Sequence, residues 1–238
     1  MTRRRWIADK VEGDRAFLLD NNANHLFRVL RAQTGQQYDV VADGVARLGT
    51  ITFASPDKVE FHLGEEIAAE SLPEITVYLS IFKFDHMEWA MEKMTELGVT
   101  RIVPVVAART SQHLIKAAEK RVDRWRKIAK EASQQARRVA PPEIADAMKL
   151  GKVVVEATQS HTRIVLSEIE ESVSLKAVLA GTHPPLVMAF GPEGGWTDEE
   201  LEHFKTNAWR SATLGHTILR AETAAIAAVA VAVAEIGN

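Results

Sequence analysis

The sequence predicts an α/β protein in two parts, a small β-rich domain over residues 1–70 and a layered α/β domain over residues 71–238. Three observations carry this. The first 70 residues alternate short apolar stretches with Gly, Asp and Asn, the punctuation of short strands joined by tight turns. Composition then shifts, with Glu65, Glu66, Glu70, Ser71 and Pro73 forming a polar link. Beyond the link, apolar runs of strand length alternate with stretches of helical periodicity, the pattern of strands and helices stacked in layers.

In the first part, Tyr38-Asp39-Val40-Val41 and Leu48-Gly49-Thr50-Ile51-Thr52-Phe53 read as strands about Asp43-Gly44, because Asp-Gly supplies the positive φ of a hairpin turn. Leu26, Val29 and Leu30 stand at i, i+3 and i+4, which predicts a helical turn that turns His25, Arg28 and Arg31 away from the core. In the second part, residues 75–82 read as a strand. Asp85 is placed to cap a helix whose Met87, Ala90, Met91, Met94 and Leu97 share a face, with Gly98 as its left-handed end and residues 102–106 as the next strand. A second long helix is expected over 114–138, ahead of Pro141-Pro142. Further strands are expected at 153–157, 186–190 and 212–214. An Ala/Val-rich helix over 222–236, small almost all round, closes the chain and is expected in the core or at a dimer interface.

With 46% hydrophobic and 26% charged residues, the composition excludes disordered, collagen-like and coiled-coil chains. The absence of cysteine excludes disulfides, Cys-ligated metal sites and a thiol nucleophile, and no metal site is read elsewhere. Met1-Thr2-Arg3-Arg4-Arg5-Trp6 has no long apolar run behind it, and the apolar run at 224–234 is shorter than the roughly 18 residues of a membrane span. A cytoplasmic protein with no membrane partner is therefore expected. The net charge of −3 argues at first against a polyanionic partner. Residues 101–138, however, carry eleven Lys/Arg against three Asp/Glu, a local +8 that leaves −11 elsewhere. Segregation of this kind is the footprint of a face that grips phosphates, although a solvated helix face has the same composition. Arg3, Arg4 and Arg5 form a second basic cluster.

Two loops carry the chemistry. Leu186-Val187-Met188-Ala189-Phe190 runs straight into Gly191-Pro192-Glu193-Gly194-Gly195, and glycines at the end of a buried strand let backbone approach a ligand closely. Thr197 and Glu200 follow with the spacing of a capping box. The run is neither a P-loop nor a dinucleotide fingerprint, and alone it fits a tight turn before a helix. A second loop, Leu214-Gly215-His216-Thr217-Ile218-Leu219-Arg220, also follows a strand and opens a helix with Glu222 in its first turn. Paired glycine-bearing loops at strand ends are where α/β sheets bind ligands.

Gly-Pro-Glu-Gly-Gly at 191–195, Leu-Gly-x-x-Ile-Leu-Arg-Ala-Glu-Thr-Ala at 214–224, the upstream 87–99 run, and Glu131, Gln135 and Arg138 ahead of Pro142-Glu143-Ile144 together resemble the RsmE family of 16S rRNA (uracil-N3)-methyltransferases. The segment 24–31 and the Asp43-Gly44 turn extend the resemblance over nearly the whole chain. It implies an α/β, SPOUT-type knotted (trefoil) methyltransferase domain preceded by a small PUA-like, RNA-binding β-barrel domain. It further implies S-adenosyl-L-methionine as cofactor, 16S rRNA of the small ribosomal subunit as partner, and a homodimer. Carried over, the cofactor site comprises Gly191, Pro192, Glu193, Gly194, Gly195, Leu214, Gly215, Ile218, Leu219, Arg220, Thr223 and Ala224, with Glu156 and Ala157 as a third wall. The family's common Lys-Gly before the first α/β helix reads Lys83-Phe84 here, and the acid before Arg109 is Ala108.

Methyl transfer to a ring nitrogen needs alignment and loss of a proton but no covalent adduct, which suits a chain without cysteine. Arg138 and Arg220 are assigned to charge developing on the uracil oxygens. Glu222 either orients Arg220 or caps its helix, and Gln135 either bonds the base or packs. Arg3, Arg4, Arg5, His25, Arg28, Arg31, Lys83 and Arg109, with the basic helix, are assigned to RNA. The same cofactor loops would also serve an enzyme acting on tRNA or another rRNA position, or persist in a noncatalytic ribosome-assembly protein.

Overall fold

The computed structural model describes residues 4–157 and 162–236. The chain divides into two compact units, the first running to Ser71 and taking in Lys130–Pro141, the second comprising Leu72–Ala129 and the chain from Pro142 on. The polar link at 65–73 thus coincides with the first boundary. The segment 130–141, expected in the α/β part, groups with the β-rich part.

The first unit contains β1 (Trp6–Ile7), β2 (Lys10–Glu12), β3 (Arg15–Leu19), α1 (Asp20–Asn24), a π-helical turn (His25–Val29), β4 (Gln37–Ala42), β5 (Val45–Ala54) and β6 (Lys58–Glu66). The sheet order is β1-β4-β5-β6-β3-β2, with β1 parallel to β4 and the other neighbours antiparallel. Asp43 and Gly44, at φ of 48° and 80°, make the turn between β4 and β5. Trp6, Leu18, Leu26, Ile51 and Phe61 fill the core. The helical turn near His25 departs from the expected face: Leu26 is buried, but Val29 and Leu30 are 63% and 47% exposed. The Leu30 N–H bonds to the His25 carbonyl five residues back, at 3.2 Å. That wider turn rotates Val29 and Leu30 out from beneath Leu26.

Specific bonds explain why 130–141 belongs here. The buried Gln134 accepts the Arg5 N–H on its backbone oxygen at 3.0 Å and the Ile7 N–H on its side-chain oxygen at 3.2 Å. Lys130 and Arg137 pair with Asp9 and Asp39, each at 2.6 Å.

The second unit contains β7 (Ile75–Ser80), α2 (Phe84–Glu96), β8 (Arg101–Val106), α3 (Gln112–Ala118), a 3-10 turn (Glu119–Arg121), the part of α4 (Val122–Gln135) before Lys130, β9 (Glu143–Ile144), β10 (Met148–Lys149), α5 (Leu150–Glu156), β11 (Thr162–Leu166), α6 (Leu175–Leu179), β12 (Leu186–Phe190), α7 (Asp198–Thr206), β13 (Arg210–Ala212) and α8 (Ala221–Ile236). All its strands run parallel, in the order β10-β8-β7-β12-β11-β13 with β9 beside β8. A parallel sheet needs cover on both faces. One face packs on Met87, Met91, Trp125, Val178 and Val229, the other on Val153, Val154, Phe204 and Trp209. Every residue of β7 and β12 is buried.

Several expected elements shift. Residues 153–157, read as a strand from three valines, lie in and at the end of helix α5. Leu150, Val153 and Val154 are its buried positions at i, i+3 and i+4, while Val155 is 63% exposed. The strand that stands at this point of the sheet is β11, and the last strand ends at Ala212. Lys83, not Asp85, is the N-cap of α2, and Asp85 lies in its first turn. The helix expected over 114–138 breaks at the 3-10 turn and stops at Gln135, before Arg137 at φ of 59°. Helix α8 buries Ala225, Ala228, Val229 and Ala232 and packs along α2 and α6, which its small residues permit.

In β5 a Cβ at Gly49 would stand 2.6 Å from Val40 and 3.1 Å from Phe61. Gly49→Ala is expected to destabilise the first unit by about 1–3 kcal/mol through overpacking, read as an earlier urea midpoint. An unchanged midpoint would show that the sheet relaxes freely there.

Candidate active site

Four strand-to-helix connections open at the C-terminal ends of neighbouring parallel strands β7, β12, β11 and β13, where open α/β sheets place ligands. They enclose a cavity of about 680 Å³. Lys83 and His86 come from the first connection, Gly191 to Gly195 from the second, Leu166, Ser167 and Glu168 from the third, and Thr213 to Arg220 from the fourth, with Glu222 and Ala224 at the start of α8.

The glycine loop is held from three sides. Trp196 is buried, and its Nε1–H donates to the Leu166 carbonyl at 2.9 Å, tying the connection after β12 to the end of β11. Its ring packs edge-on against Phe204, 5.0 Å between centroids, and Phe204 packs in the same way on Trp209. A Cβ at Gly191 would approach that indole to 3.3 Å; one at Gly195, which sits at φ of 69°, would collide with the Glu168 carboxylate. Arg109 donates from Nη1 to the carbonyls of Gly194 at 2.6 Å and Trp196 at 3.1 Å. The expected capping box forms: Thr197 Oγ1 accepts the Glu200 N–H at 3.2 Å, and Glu200 accepts the Thr197 N–H at 2.9 Å. The other oxygen of Glu200 accepts the Ala108 N–H at 2.7 Å, so one buried carboxylate joins α7 to the loop after β8.

The remaining loop turns on Thr213, whose hydroxyl oxygen accepts the Gly215 N–H at 3.2 Å. Gly215 takes φ of 127°. Arg220 is exposed on the cavity wall, and Ile218 is 90% exposed. Glu222 is buried and does not orient Arg220 as one reading of the sequence had it. Its Oε1 lies 3.0 Å from Nδ1 of His86 on α2.

Other expected site residues fall elsewhere. Glu156 and Ala157 do not line the cavity, since they end helix α5; the third wall is Leu166-Ser167-Glu168, after the strand that sequence reading missed. Thr223 is exposed beside the cavity and does not line it. Lys83, assigned to RNA, lines the cavity. Arg109, assigned to phosphate, spends its guanidinium on the glycine loop. Arg5 is buried, with its guanidinium on the Arg137 carbonyl at 2.7 Å, and burial beside Arg137 lowers its proton affinity. Arg4 stands 5.6 Å over the Trp6 ring, and His25 lies 5.9 Å from the same ring. Arg28 and Arg31 are exposed, whereas Arg3 lies outside the described residues.

Arg138 and Gln135 belong to the first unit and are not among the cavity-lining residues. Burial lowers the Arg138 pKa to about 10, which leaves the side chain charged at neutral pH. Gln135 is exposed, its neighbour Gln134 being the buried one. In the basic stretch, Arg121 and Arg124 meet Glu88, and Arg126 meets Asp123 and Asp146, so part of its charge is offset locally. Among the cavity residues that sequence reading missed are His86, Ser167, Glu168, Thr213 and His216. A histidine in a helix's first turn beside Asp85 was the available signal for the first.

The RNA methyltransferase domain family matches residues 69–233. Ribosomal RNA small subunit methyltransferase E of Bacillus subtilis is 32% identical over 217 residues, 87% of this chain and 84% of that protein. Among solved structures, a ribosomal RNA small subunit methyltransferase E from Neisseria gonorrhoeae bound to S-adenosyl methionine superposes with a TM-score of 0.88, at 27% identity over 99% of this chain and 98% of that one. A putative methyltransferase from Legionella pneumophila in complex with the same cofactor gives 0.85, at 25% identity over 98% of both chains.

Arg109→Ala removes two charge-assisted bonds to the glycine loop. It is expected to cost about 1–3 kcal/mol and to speed amide hydrogen exchange at 191–197 relative to the β12 strand. Exchange unchanged in that segment would remove Arg109 from the loop's support.

Proposed function

The chain belongs to the RNA methyltransferase family, with the small-subunit ribosomal RNA methyltransferases E as relatives, and from that premise we propose that it methylates N3 of a uridine in 16S rRNA. The observation that carries the reading is the cavity at the strand ends, walled by the Gly191–Gly195 loop and the 213–220 loop. S-adenosyl-L-methionine is the methyl donor. The residues fit it. About 680 Å³ is within the range of small-molecule sites, and the close approaches at Gly191 and Gly195 keep the wall bare backbone. Leu166, Phe190, Leu214 and Leu219 offer apolar surface to a flat heteroaromatic group, and Glu168 and Glu193 offer carboxylates to a cation. When bound there, the donor supplies a methyl group on a sulfonium, a leaving group that departs neutral.

The chain's own residues have the rest of the work. The three tethers on the glycine loop hold the cavity in shape before anything binds, so little ordering is left to be done on binding. Arg220 places a positive charge on the cavity wall, suited to charge that develops on a uracil oxygen as N3 loses its proton. Arg138 keeps the same assignment from the sequence, and its burial supports a fixed charge rather than a mobile one. The β-rich domain over 1–70 is assigned to RNA binding as a PUA-like barrel, with Arg4, His25, Arg28 and Arg31 as its contacts. The segment from β12 to α8 is assigned the knot of the SPOUT superfamily. The protein works as a homodimer in the cytoplasm, where ribosomal RNA is made; no helix of the described residues is long and apolar enough to cross a membrane.

Mass mapping of rRNA from a deletion strain should show one uridine lacking its base methyl, restored by the wild-type chain; an unchanged map overturns the reading. Arg138→Ala should reduce methylation of small subunits by about 100-fold or more while S-adenosylhomocysteine affinity stays within a few-fold. Collapse of cofactor affinity in that variant would move Arg138 out of the base-binding role. Gly195→Ala should do the reverse, removing cofactor binding in titration calorimetry, because the new methyl meets Glu168 at a backbone angle that favours glycine.

A further inference from the structure

We propose that His86, oriented by Glu222, takes the proton from the nitrogen that is methylated. The inference rests on the uridine N3 reading above. N3 of uracil carries a hydrogen, so a methyl group can be added there only as that proton leaves. The ionisable side chains on the cavity wall are those of Lys83, His86, Glu168, Glu193, His216, Arg220 and Glu222. Lysine and arginine carry no acceptor when protonated. Imidazole is the side chain that exchanges a proton near neutrality. His216 is exposed on its loop, and among the described residues no carboxylate orients it.

His86 stands differently. It occupies the first turn of α2, Glu222 the first turn of α8, and the two helices pack along each other from the cavity onward. Nδ1 of His86 is 3.0 Å from Oε1 of Glu222, whose side chain is only 7% exposed. A buried carboxylate in that position accepts the Nδ1–H, which leaves the lone pair of Nε2 as the free acceptor. Asp85 is 3.8 Å from Nε2, beyond hydrogen-bonding range, and its side chain is 78% exposed, so it does not occupy that nitrogen. The other charges around the pair are Lys83 before α2, Arg220 before α8, and Glu168 and Glu193 on the facing loops. The imidazole is 30% exposed, lines the cavity and is held through Nδ1.

The step balances without a further reactant. The N3 lone pair forms the N–CH3 bond as the S–CH3 bond breaks and its electrons stay on sulfur. The N3 proton passes to Nε2 of His86. The positive charge lost from the sulfonium reappears on an imidazolium beside the Glu222 carboxylate, and water later takes the proton. Carboxylate and imidazole would then play the parts they have in serine hydrolase triads, with a ring nitrogen in place of the serine.

The test uses the full chain with unmodified small subunits. In the free protein, 15N spectra should show His86 as the Nδ1–H tautomer, and Glu222→Gln should alter that signal; an Nε2–H tautomer overturns the proposal. His86→Ala should keep S-adenosylhomocysteine affinity within about threefold in calorimetry yet slow single-turnover methylation by about 100-fold or more. The rate loss on acidification should disappear in the variant, and added imidazole should restore at least about tenfold of the rate. Loss of cofactor affinity, or a wild-type pH profile in the variant, overturns the role of His86. Should His86→Ala fold poorly, His86→Gln gives the same comparison with a side chain of similar reach. Wild-type product methylated at carbon or ribose would instead fail the N3 reading, whereas N3 product made equally fast by His86→Ala would fail this inference alone.

Discussion

The hydrogen bond from the buried Trp196 indole to the Leu166 carbonyl is the constraint on which the site depends. It closes the distance between two connections that leave the sheet on adjacent strands, β12 and β11, and it does so inside an apolar cluster where water cannot compete. The same indole lies against Gly191, where a Cβ would press on it at 3.3 Å. Phe204 and Trp209 pin the ring from behind, and Trp209 is itself anchored by its N–H to the Val154 carbonyl at 3.2 Å. A chain of aromatic rings thus carries the position of helices α5 and α7 into the shape of a backbone loop. Arg109 acts on the same loop from the β8 side and Glu200 ties α7 to Ala108 there, so an arginine assigned to phosphate from the sequence serves as a fastener.

Buried carboxylates around the site divide by their partners. Glu200 and Glu222 are both buried glutamates at helix starts, yet Glu200 is saturated by backbone N–H groups while Glu222 faces an imidazole. The first is locked into structure. The second holds a group that can change its protonation, which is the difference between a strut and a participant. The first unit makes a similar distinction among arginines: Arg5 is consumed by the Arg137 carbonyl and the neighbourhood of Asp39, whereas Arg28 and Arg31 remain at the surface.

The charge map also gains meaning from pairing. The +8 of residues 101–138 is no uniform basic face, because Glu88, Asp146, Asp9 and Asp39, all outside the stretch, come back to meet it. A count along the chain sees segregation, and the fold partly undoes it. Where both partners are exposed, as in Arg126 with Asp146, such a pair adds little stability and mainly decides which cations remain available to a phosphate.

By itself the sequence determined the hairpin turn, helix α2, the capping box and the glycine loop, because each is written in residues close together in the chain: Asp43-Gly44, Met87 to Gly98, Thr197 with Glu200, and the glycines at 191–195. Short-range chemistry of turns, caps and periodicity is enough for these. Helix α5 was misread although Leu150, Val153 and Val154 carried its period, since three consecutive valines weigh toward a strand. With it went the third wall, because β11 stood where no strand was expected. Only the tertiary structure decided that Arg109 fastens a loop 85 residues away, that Arg5 is buried against residue 137, and that Glu222 meets His86 rather than Arg220. Those outcomes depend on which side chains the parallel sheet brings within a few ångströms of one another. The residues involved lie far apart in the chain, where no local period or motif records the contact.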